Sequence, residues 1–402
     1  MNDVLTHLAA VLFIAIVINI VLRKLHITTI IGYIATGIVA KLLLGFQENH
    51  QLASIAEFGV VFLMFMIGLE FSVPKLVAMR KEVIGVGGVQ ILITALIMFP
   101  IVLFSFNMKI EPAIAVALTI AFSSTTMVLK LLQESGKMNR NHGRVSLGIL
   151  LMQDIMVVPV LILLTLFAQQ DVKIAELLKE TVTNSLAGVM AIYLFGKYGV
   201  NFFLKHVAGA RSNEMFMTAV LLIVVSAASI AHFFNVPYSL GAFIAGVIIS
   251  ESAYKHQIEA DLVPFRDLLL GLFFISIGIM IDLKIVINNI VLILSLSFII
   301  ILVKTLVIFV ATKRFGYSSR TSIKTALLLS QIGEFGFVIF AFAKELHVLG
   351  EFPSQILIAI TAVTMFSTPF IAKYIDKISY KFANSLDNEI TKNASSYENH
   401  IV

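Results

Sequence analysis

Long apolar runs, separated by short polar stretches, dominate the pattern of hydrophobic and polar positions along the chain. Most runs have about 18–25 residues, the length at which an α-helix crosses a bilayer. Strands of a transmembrane β-barrel would instead alternate apolar and polar positions over ~10 residues. The pattern therefore predicts an all-α polytopic membrane protein.

The runs predict about thirteen transmembrane helices, with boundaries good to a few residues. In chain order the spans are 4–22, 27–46, 52–70, 83–105, 111–133, 144–168, 183–204, 213–234, 236–253, 262–282, 286–312, 320–345 and 353–376. The first run ends at Arg23-Lys24 without a small-residue cleavage site, so we interpret it as a true helix. We expect a transmembrane domain at 1–376 and a polar cytoplasmic tail at 377–402.

Composition excludes whole classes of function. Of the 402 residues, 59% are hydrophobic and only 13% are charged, against about 25% charged in soluble domains. No soluble core could bury so much apolar surface. Cysteine is absent and the histidines lack an HExxH spacing, which leaves no thiol nucleophile or familiar metal motif. We therefore expect a protein that is not an enzyme and needs no cofactor.

The net charge of +5 reports topology rather than nucleic-acid binding, because the surplus lies in short loops. Most Lys and Arg residues, such as Arg80, Arg140 and Lys377, lie at one set of span ends, and few, such as Lys109, at the other. The positive-inside rule then places the N-terminus outside and the C-terminus in the cytoplasm. We expect an integral protein of a bacterial inner membrane.

Three local patterns occur twice, in the same order and at an offset of about 210 residues. The similar segments are Gly32–Ile38 and Gly241–Val247, Phe62–Leu69 and Leu272–Ile279, and Phe122–Ser124 and Leu329–Gln331. The offset carries the second span onto the ninth, an odd step that reverses orientation in the membrane. Spans 1–6 and 8–13 are therefore predicted to be inverted repeats joined by span 7, an architecture typical of secondary transporters.

Two spans carry polar residues and weak helix formers at their centres. Ser123, Ser124, Thr125 and Thr126 interrupt the fifth span. The segment from Ser330 and Gln331 to Glu334 interrupts the twelfth. Unwound backbone is tolerated at membrane depth only where it lines a cavity, and free helix ends are natural ion sites. We predict discontinuous helices at both places.

Ionisable residues inside spans are costly and indicate function. Asp154 lies ten residues into the sixth span, where a carboxylate can hold either a cation or a proton. Lys304 lies in the middle of the eleventh span and needs a compensating acid or the negative end of a broken helix. Glu334 either faces the broken helices or pairs with Lys304. A purely structural clamp remains an alternative role for the lysine.

The sequence resembles the monovalent cation:proton antiporter-2 family, specifically the membrane domain of Kef-type potassium efflux systems. The resemblance covers roughly residues 5–376 and rests on Phe65–Glu70, Phe122–Thr125, Gln153–Ile155, Ser239–Gly246, Leu269–Ile275 and Gly333–Phe335. It implies a homodimer in which each protomer is split into a dimerisation domain and a core domain. It also implies crossed discontinuous helices and elevator-type exchange of one cation against protons. Its Gln-Asp pair falls on Gln153 and Asp154, which implies electroneutral exchange and K⁺, and its membrane lysine falls on Lys304.

Kef-type proteins usually continue into a Rossmann-like regulatory domain, whereas this sequence ends at Val402 without a GxGxxG motif. Nucleotide gating cannot be carried over, and a separate cytoplasmic regulatory subunit is an open alternative.

The resulting hypothesis is that ionised Asp154 binds a monovalent cation together with neutral oxygens of Gln153, Ser124, Thr125 and the freed carbonyls, and that a proton competes for the same carboxylate. Ser123, Ser330, Gln331, Lys304 and Glu334 would support this site. A Na⁺/H⁺ antiporter of the same fold, a gated cation channel and a membrane sensor with a degenerate site are the alternatives.

Overall fold

The fold is described by a computed structural model. It describes residues 2–24, 27–44, 50–70, 73–168, 201–209, 212–234 and 237–383, and scattered positions between 187 and 196. Within these ranges all regular secondary structure is helical. The predicted tail from 384 onward, most of the seventh span and Arg211 lie outside the described residues.

The first half of the chain forms α1 (Asn2–Lys24), α2 (Thr29–Leu44), α3 (His50–Glu70), α4 (Val73–Ala78), a π-helical turn (Lys81–Gly87), α5 (Gly88–Phe106), α6 (Ile110–Ile120), α7 (Thr125–Glu134) and α8 (Asn141–Phe167). The second half forms α9 (Asn201–Gly209), α10 (Asn213–Phe233), α11 (Tyr238–Ser250), α12 (Lys255–Met280), α13 (Leu283–Asn288), α14 (Ile290–Arg314), α15 (Ser319–Leu328), α16 (Phe335–Glu345) and α17 (Glu351–Lys373).

By length and composition, 6 segments of the described chain can cross a membrane, or 7 if the bent pair Lys255–Leu262 and Phe265–Met280 is one span. Three shorter apolar helices accompany them: Thr29–Leu44, Phe58–Leu69 and Tyr238–Ser250. The helices begin and end within a few residues of the predicted spans wherever the chain is described, except that α12 begins earlier, at Lys255. The count of thirteen stays a prediction.

The chain divides into two compact units, each built from two separate stretches. Unit 1 comprises Met1–Lys75 and Leu161–Ile281, and unit 2 comprises Leu76–Val160 and Asp282–Val402. Each unit therefore takes part of its sequence from each half of the chain. The boundaries cut across the predicted repeats rather than following them.

In unit 1, glycines allow two pairs of helices to touch through their backbones. A methyl group on Gly37 of α2 would overlap the Ile275 carbonyl oxygen of α12, and one on Gly278 would overlap the Ile34 carbonyl oxygen. Gly68 of α3 and Gly246 of α11 meet in the same manner. Because any side chain at these positions would displace backbone, the two contacts fix how the four helices pack.

In unit 2, two segments that the sequence predicts as spans are interrupted at their polar centres. α6 ends at Ile120 and α7 begins at Thr125, whereas α15 ends at Leu328 and α16 begins at Phe335. The Gly333 amide donates to the Phe122 carbonyl oxygen at 3.1 Å, which joins the two interruptions directly. The neighbouring helices pack around an apolar core that includes Val128, Ile149, Ile308 and Leu329.

Candidate ion-binding site

Asp154 lies on α8 beside the interruption between α6 and α7, and its side chain is half-buried. The Thr125 hydroxyl donates to its carboxylate, at 2.9 Å from Oδ1 and 3.2 Å from Oδ2. Thr125 is the first residue of α7, so the carboxylate lies near the positive end of that helix dipole. Asp154 and Thr125, both predicted site residues, are therefore in direct contact.

Gln153 is fully buried and bonds the interruption to α5. Its Oε1 atom accepts a hydrogen bond from the Ser123 amide at 2.7 Å. Its Nε2 atom donates to Gln90 Oε1 at 2.7 Å and to the Ala121 carbonyl oxygen at 3.1 Å. These bonds occupy the amide, so Gln153 holds the unwound backbone beside Asp154 in this conformation.

Lys304 of α14 is 0% exposed and reaches both interruptions. Its Nζ atom donates to the carbonyl oxygens of Phe122 at 2.7 Å and Gln331 at 2.5 Å, and to the Ser123 hydroxyl at 3.1 Å. These groups follow the C-terminal ends of α6 and α15, where helix dipoles are negative. Among the described residues, no carboxylate lies within ion-pair distance of this ammonium.

Glu334 lies at the opposite kind of helix end. It directly precedes α16, and its Oε1 atom accepts hydrogen bonds from the Thr126 hydroxyl at 3.0 Å and the Thr126 amide at 3.4 Å. The carboxylate therefore faces the positive N-terminal ends of α7 and α16. Of the two alternatives for Glu334, its observed contacts are with the broken helices and not with Lys304.

The remaining predicted residues serve the two interruptions in different ways. The Ser124 hydroxyl caps α7 by accepting from the Met127 amide at 3.2 Å, and the Ser123 hydroxyl donates to the Leu329 carbonyl oxygen at 2.8 Å. The Ser330 hydroxyl donates to the Leu327 carbonyl oxygen within its own segment. Both polar atoms of the Gln331 side chain are buried without a hydrogen-bond partner in the described part of the chain.

Sequence reasoning did not single out Gln90, and it placed Thr126 in the polar centre of the fifth span without giving it a role. Gln90 is fully buried and joins the network through Gln153, and it also donates to the Ala121 carbonyl oxygen at 3.1 Å. Thr126 supplies both hydrogen bonds to Glu334. A lone amide in the apolar span 83–105 was the signal that could have identified Gln90, because a buried polar group needs a partner.

The arrangement separates charges by helix end. An ammonium meets the carbonyl ends of two half-helices, and a carboxylate meets the amide ends, so Lys304 and Glu334 hold the unwound segments. Asp154 keeps partial exposure and accepts a hydrogen bond from the Thr125 hydroxyl. The carbonyl oxygens of Phe122, Gln331 and Ala121 already accept hydrogen bonds.

Comparison with known families gives a match over most of the chain. Residues 9–374 match the family described as "Sodium/hydrogen exchanger, transmembrane". The chain is 35% identical over 362 residues to the chloroplastic K(+) efflux antiporter 1 of Arabidopsis thaliana, covering 88% of this chain and 30% of that protein. It is 32% identical over 412 residues to K(+) efflux antiporter 3 of the same plant, covering 97% and 53%. The chain thus spans about half or less of these relatives.

Comparison with solved structures identifies the same kind of fold. The sodium proton antiporter MjNhaP1 from Methanocaldococcus jannaschii, determined at pH 8, has a TM-score of 0.67 and 16% sequence identity, with 94% of this chain and 98% of that chain covered. An electron microscopy structure of the same antiporter also gives a TM-score of 0.67, with 14% identity and coverage of 95% and 98%. At such identity the likeness concerns the fold alone.

Proposed function

Because the chain belongs to the sodium/hydrogen exchanger family and is a Kef-type monovalent cation:proton antiporter, we propose that it exchanges K⁺, in preference to Na⁺, for H⁺ across a membrane. The exchange is electroneutral and proceeds by elevator-type alternating access. The preference for K⁺ is supported by the K(+) efflux antiporters among its relatives, whereas its structural neighbours are sodium proton antiporters.

The observation that carries this proposal is the half-buried Asp154 carboxylate beside an interrupted helix, with Thr125 as its hydroxyl neighbour at 2.9 Å. When ionised, the carboxylate binds one monovalent cation together with water and nearby hydroxyl oxygens. When protonated, it has no net charge and releases that cation. Cation and proton therefore exclude each other at one group, which is the minimal requirement for exchange.

A single exchanging carboxylate supports electroneutral transport. Loaded with K⁺ or with H⁺, the Asp154 site carries the same net charge, so one cycle moves no net charge. The empty, ionised site moves through the membrane only at a cost of at least a few kcal/mol, which discourages uncoupled leakage. Lys304 and Glu334 contribute by holding the interruptions in shape, because Lys304 donates to carbonyl oxygens of both interruptions and Glu334 accepts from Thr126.

Inverted repeats within the proposed thirteen-span fold are supported by the glycine contacts of unit 1. The sequence offset relates Gly37 to Gly246 and Gly278 to Gly68. The contact between Gly37 and Gly278 is thereby related to the contact between Gly246 and Gly68.

We include in the proposal a homodimer in a bacterial inner membrane and a separate cytoplasmic regulatory subunit. It includes no cofactor and no nucleic-acid partner.

The proposal is tested in proteoliposomes that carry an imposed pH gradient and a pH-sensitive dye. We expect added K⁺ to collapse the gradient in either direction, with Na⁺ less effective at equal concentration. When the K⁺ concentration is equal on both sides, valinomycin clamps the membrane voltage. This clamp should leave the rate of K⁺/H⁺ exchange, measured without Na⁺, unchanged. A response to Na⁺ alone would retain the exchanger and overturn the proposed cation.

A gated cation channel is the second candidate, because the same polar interruptions could line a pore. Channel flux follows voltage and needs no opposing proton. K⁺ flux that persists without proton movement, and scales with an imposed voltage, would therefore favour the channel and contradict exchange.

A further inference from the structure

Unit 2 contains a pocket that the exchange cycle does not use. It has a volume of about 560 Å³ and lies where α8 and α15 begin. Four cationic side chains line it: Lys137 and Arg140 precede α8, and Arg320 and Lys324 lie on α15. Two segments far apart in sequence thus place their positive charges around one concavity.

Among the residues that the structure describes, the rest of the lining is polar and contains no carboxylate. It consists of Asn139, Asn141, His142, Ser318 and Thr321. Amide, hydroxyl and imidazole groups can all donate hydrogen bonds. The positive-inside rule requires only that cytoplasmic loops carry many cations, which could be spread over the surface. It does not explain why four cations converge on one pocket that is rich in hydrogen-bond donors.

One carboxylate outside the lining neutralises part of this charge. Asp376 accepts from Lys137 Nζ at 2.5 Å and also pairs with Lys324. Neither Arg140 nor Arg320 forms an ion pair within the described ranges. The Arg320 guanidinium instead lies 5.9 Å from the centre of the Tyr380 ring. At least two full positive charges therefore remain for an anion.

The two arginines favour one class of anion. A guanidinium presents a planar set of donors that matches phosphate oxygens in pairs. The first turns of α8 and α15 add a weaker contribution, because amides at a helix start attract negative charge. A carboxylate ligand would satisfy one arginine, whereas a tetrahedral phosphate has enough oxygens for both arginines and a lysine.

We propose that this pocket binds a phosphate group on the predicted cytoplasmic side, a role separate from the exchange site at Asp154. The group belongs either to a soluble phosphate or to the headgroup of an anionic phospholipid. Arg140 and Arg320 supply the main contacts. Lys137 and Lys324 contact the phosphate group when they leave their ion pairs with Asp376.

Binding can be measured without any transport assay. The chain has no cysteine, so Ser135→Cys provides a single attachment point for an environment-sensitive fluorophore. Ser135 is exposed, two residues before Lys137, and outside the pocket lining. The labelled protein in a neutral detergent is titrated with inorganic phosphate, at constant ionic strength set by chloride, and separately with short-chain phosphatidylglycerol against short-chain phosphatidylcholine.

We expect a saturable fluorescence change with phosphate or with phosphatidylglycerol, and none with chloride or phosphatidylcholine. Arg140→Gln and Arg320→Gln should each weaken binding by about tenfold or more, the effect of losing one charge-assisted hydrogen bond. Arg314→Gln, which removes an exposed cation outside the pocket, should change the affinity less than about twofold. Asp376→Asn should tighten binding, because it frees two lysines.

The two titrations separate the sources of the phosphate group. Saturation by inorganic phosphate assigns a soluble ligand, and saturation by phosphatidylglycerol alone assigns a lipid headgroup. Arg140→Lys and Arg320→Lys, which keep the charge, should recover part of the affinity and show that the pocket still folds. The proposal is overturned if neither titrant saturates, or if the arginine variants bind as tightly as Arg314→Gln.

Discussion

Lys304 carries its charge in a fully buried position, and its neighbours explain how the membrane interior tolerates it. The ammonium donates to two backbone carbonyls and one hydroxyl at the ends of α6 and α15. Carbonyl oxygens at helix C-termini lack intrahelical donors, so they need a partner and carry partial negative charge. The helix ends therefore accept the hydrogen bonds of the Lys304 ammonium and offset its charge, and the ammonium gives their carbonyl oxygens a donor.

Lys304→Gln should destabilise the protein. A glutamine cannot supply three donors or a positive charge, so we expect a loss of about 3 kcal/mol or more in unfolding free energy. The measurement is the melting temperature of the detergent-purified protein. Lys313→Gln is the matched control on the same helix, since within the described ranges the Lys313 Nζ atom donates to a single group, the Ser319 hydroxyl. Equal melting temperatures for the two variants would contradict this role.

Individual site residues were predictable to different degrees. Asp154 and Lys304 were visible because a lone charge within an apolar span is conspicuous. The partners of Lys304 were not, because they are backbone carbonyls whose position depends on how two distant interruptions meet. Gln90 and the role of Thr126 were missed, since neutral polar side chains in a span usually bond to their own helix.

At the scale of elements, the structure depends on a close approach between the two interruptions. Gly333 donates to the Phe122 carbonyl oxygen, and a Cβ atom at this glycine would lie 2.5 Å from the Ser123 carbonyl carbon. Because the obstructing atom belongs to the backbone, it cannot rotate away. The polar centres at Ser123 and Ser330 predicted the interruptions, but no pattern in the sequence predicted this backbone contact.

Gly333→Ala should separate the interruptions. We expect a destabilisation of roughly 1–3 kcal/mol, the usual cost of overpacking, together with a loss of exchange activity. Gly88→Ala is the control, because the nearest atom to its added Cβ is 4.0 Å away, at the end of Met152. Melting temperature and exchange rate are measured for both, and wild-type behaviour in Gly333→Ala would refute the tight contact.

The segment after α17 is joined to α15 and to the loop before α8 through Asp376. Hydrogen bonds from Lys137 and Lys324 lower the pKa of Asp376 to about 2. A carboxyl with a lowered pKa stabilises the fold above its ordinary value of 3.8, and this contribution disappears as the pH falls through about 2.

Asp376→Asn should therefore reduce stability at pH 7, and the difference from wild type should vanish between about pH 4 and pH 2. The carboxylate is about half exposed, so screening limits the effect to roughly 0.2–1 kcal/mol, less at high salt. Melting curves across this pH range provide the check. A difference that persists unchanged at pH 2 would assign the effect to packing instead of charge.

At the scale of the whole molecule, the distribution of cations fixes the expected orientation. Because the chain lacks cysteine, Lys109→Cys and Ser135→Cys each introduce one thiol, at exposed positions on predicted opposite sides. In intact cells a membrane-impermeant maleimide should label Lys109→Cys and leave Ser135→Cys unlabelled until the membrane is permeabilised. The reverse pattern would invert the topology.

The all-helical membrane architecture was predictable, because span length is a property of one sequence, whereas the inverted repeats and the count of thirteen spans stay predictions. A division into two domains was implied only by the family resemblance. The composition of the two units could not be derived from sequence patterns, since each unit draws on both halves of the chain and forms only through long-range packing. Selectivity was also beyond the sequence, because it depends on the size of the site and the number of oxygens around the cation.

In the proposed exchange cycle one carboxylate, Asp154, alternates between a cation and a proton. The most direct test compares K⁺-driven proton movement in proteoliposomes containing wild type, Asp154→Asn and, as a control, Asp267→Asn. Asp267 is exposed and pairs with Arg266 on α12. We predict that Asp154→Asn abolishes exchange while keeping a wild-type melting temperature, and that Asp267→Asn exchanges normally. Persistent K⁺-driven proton movement in Asp154→Asn would contradict the account.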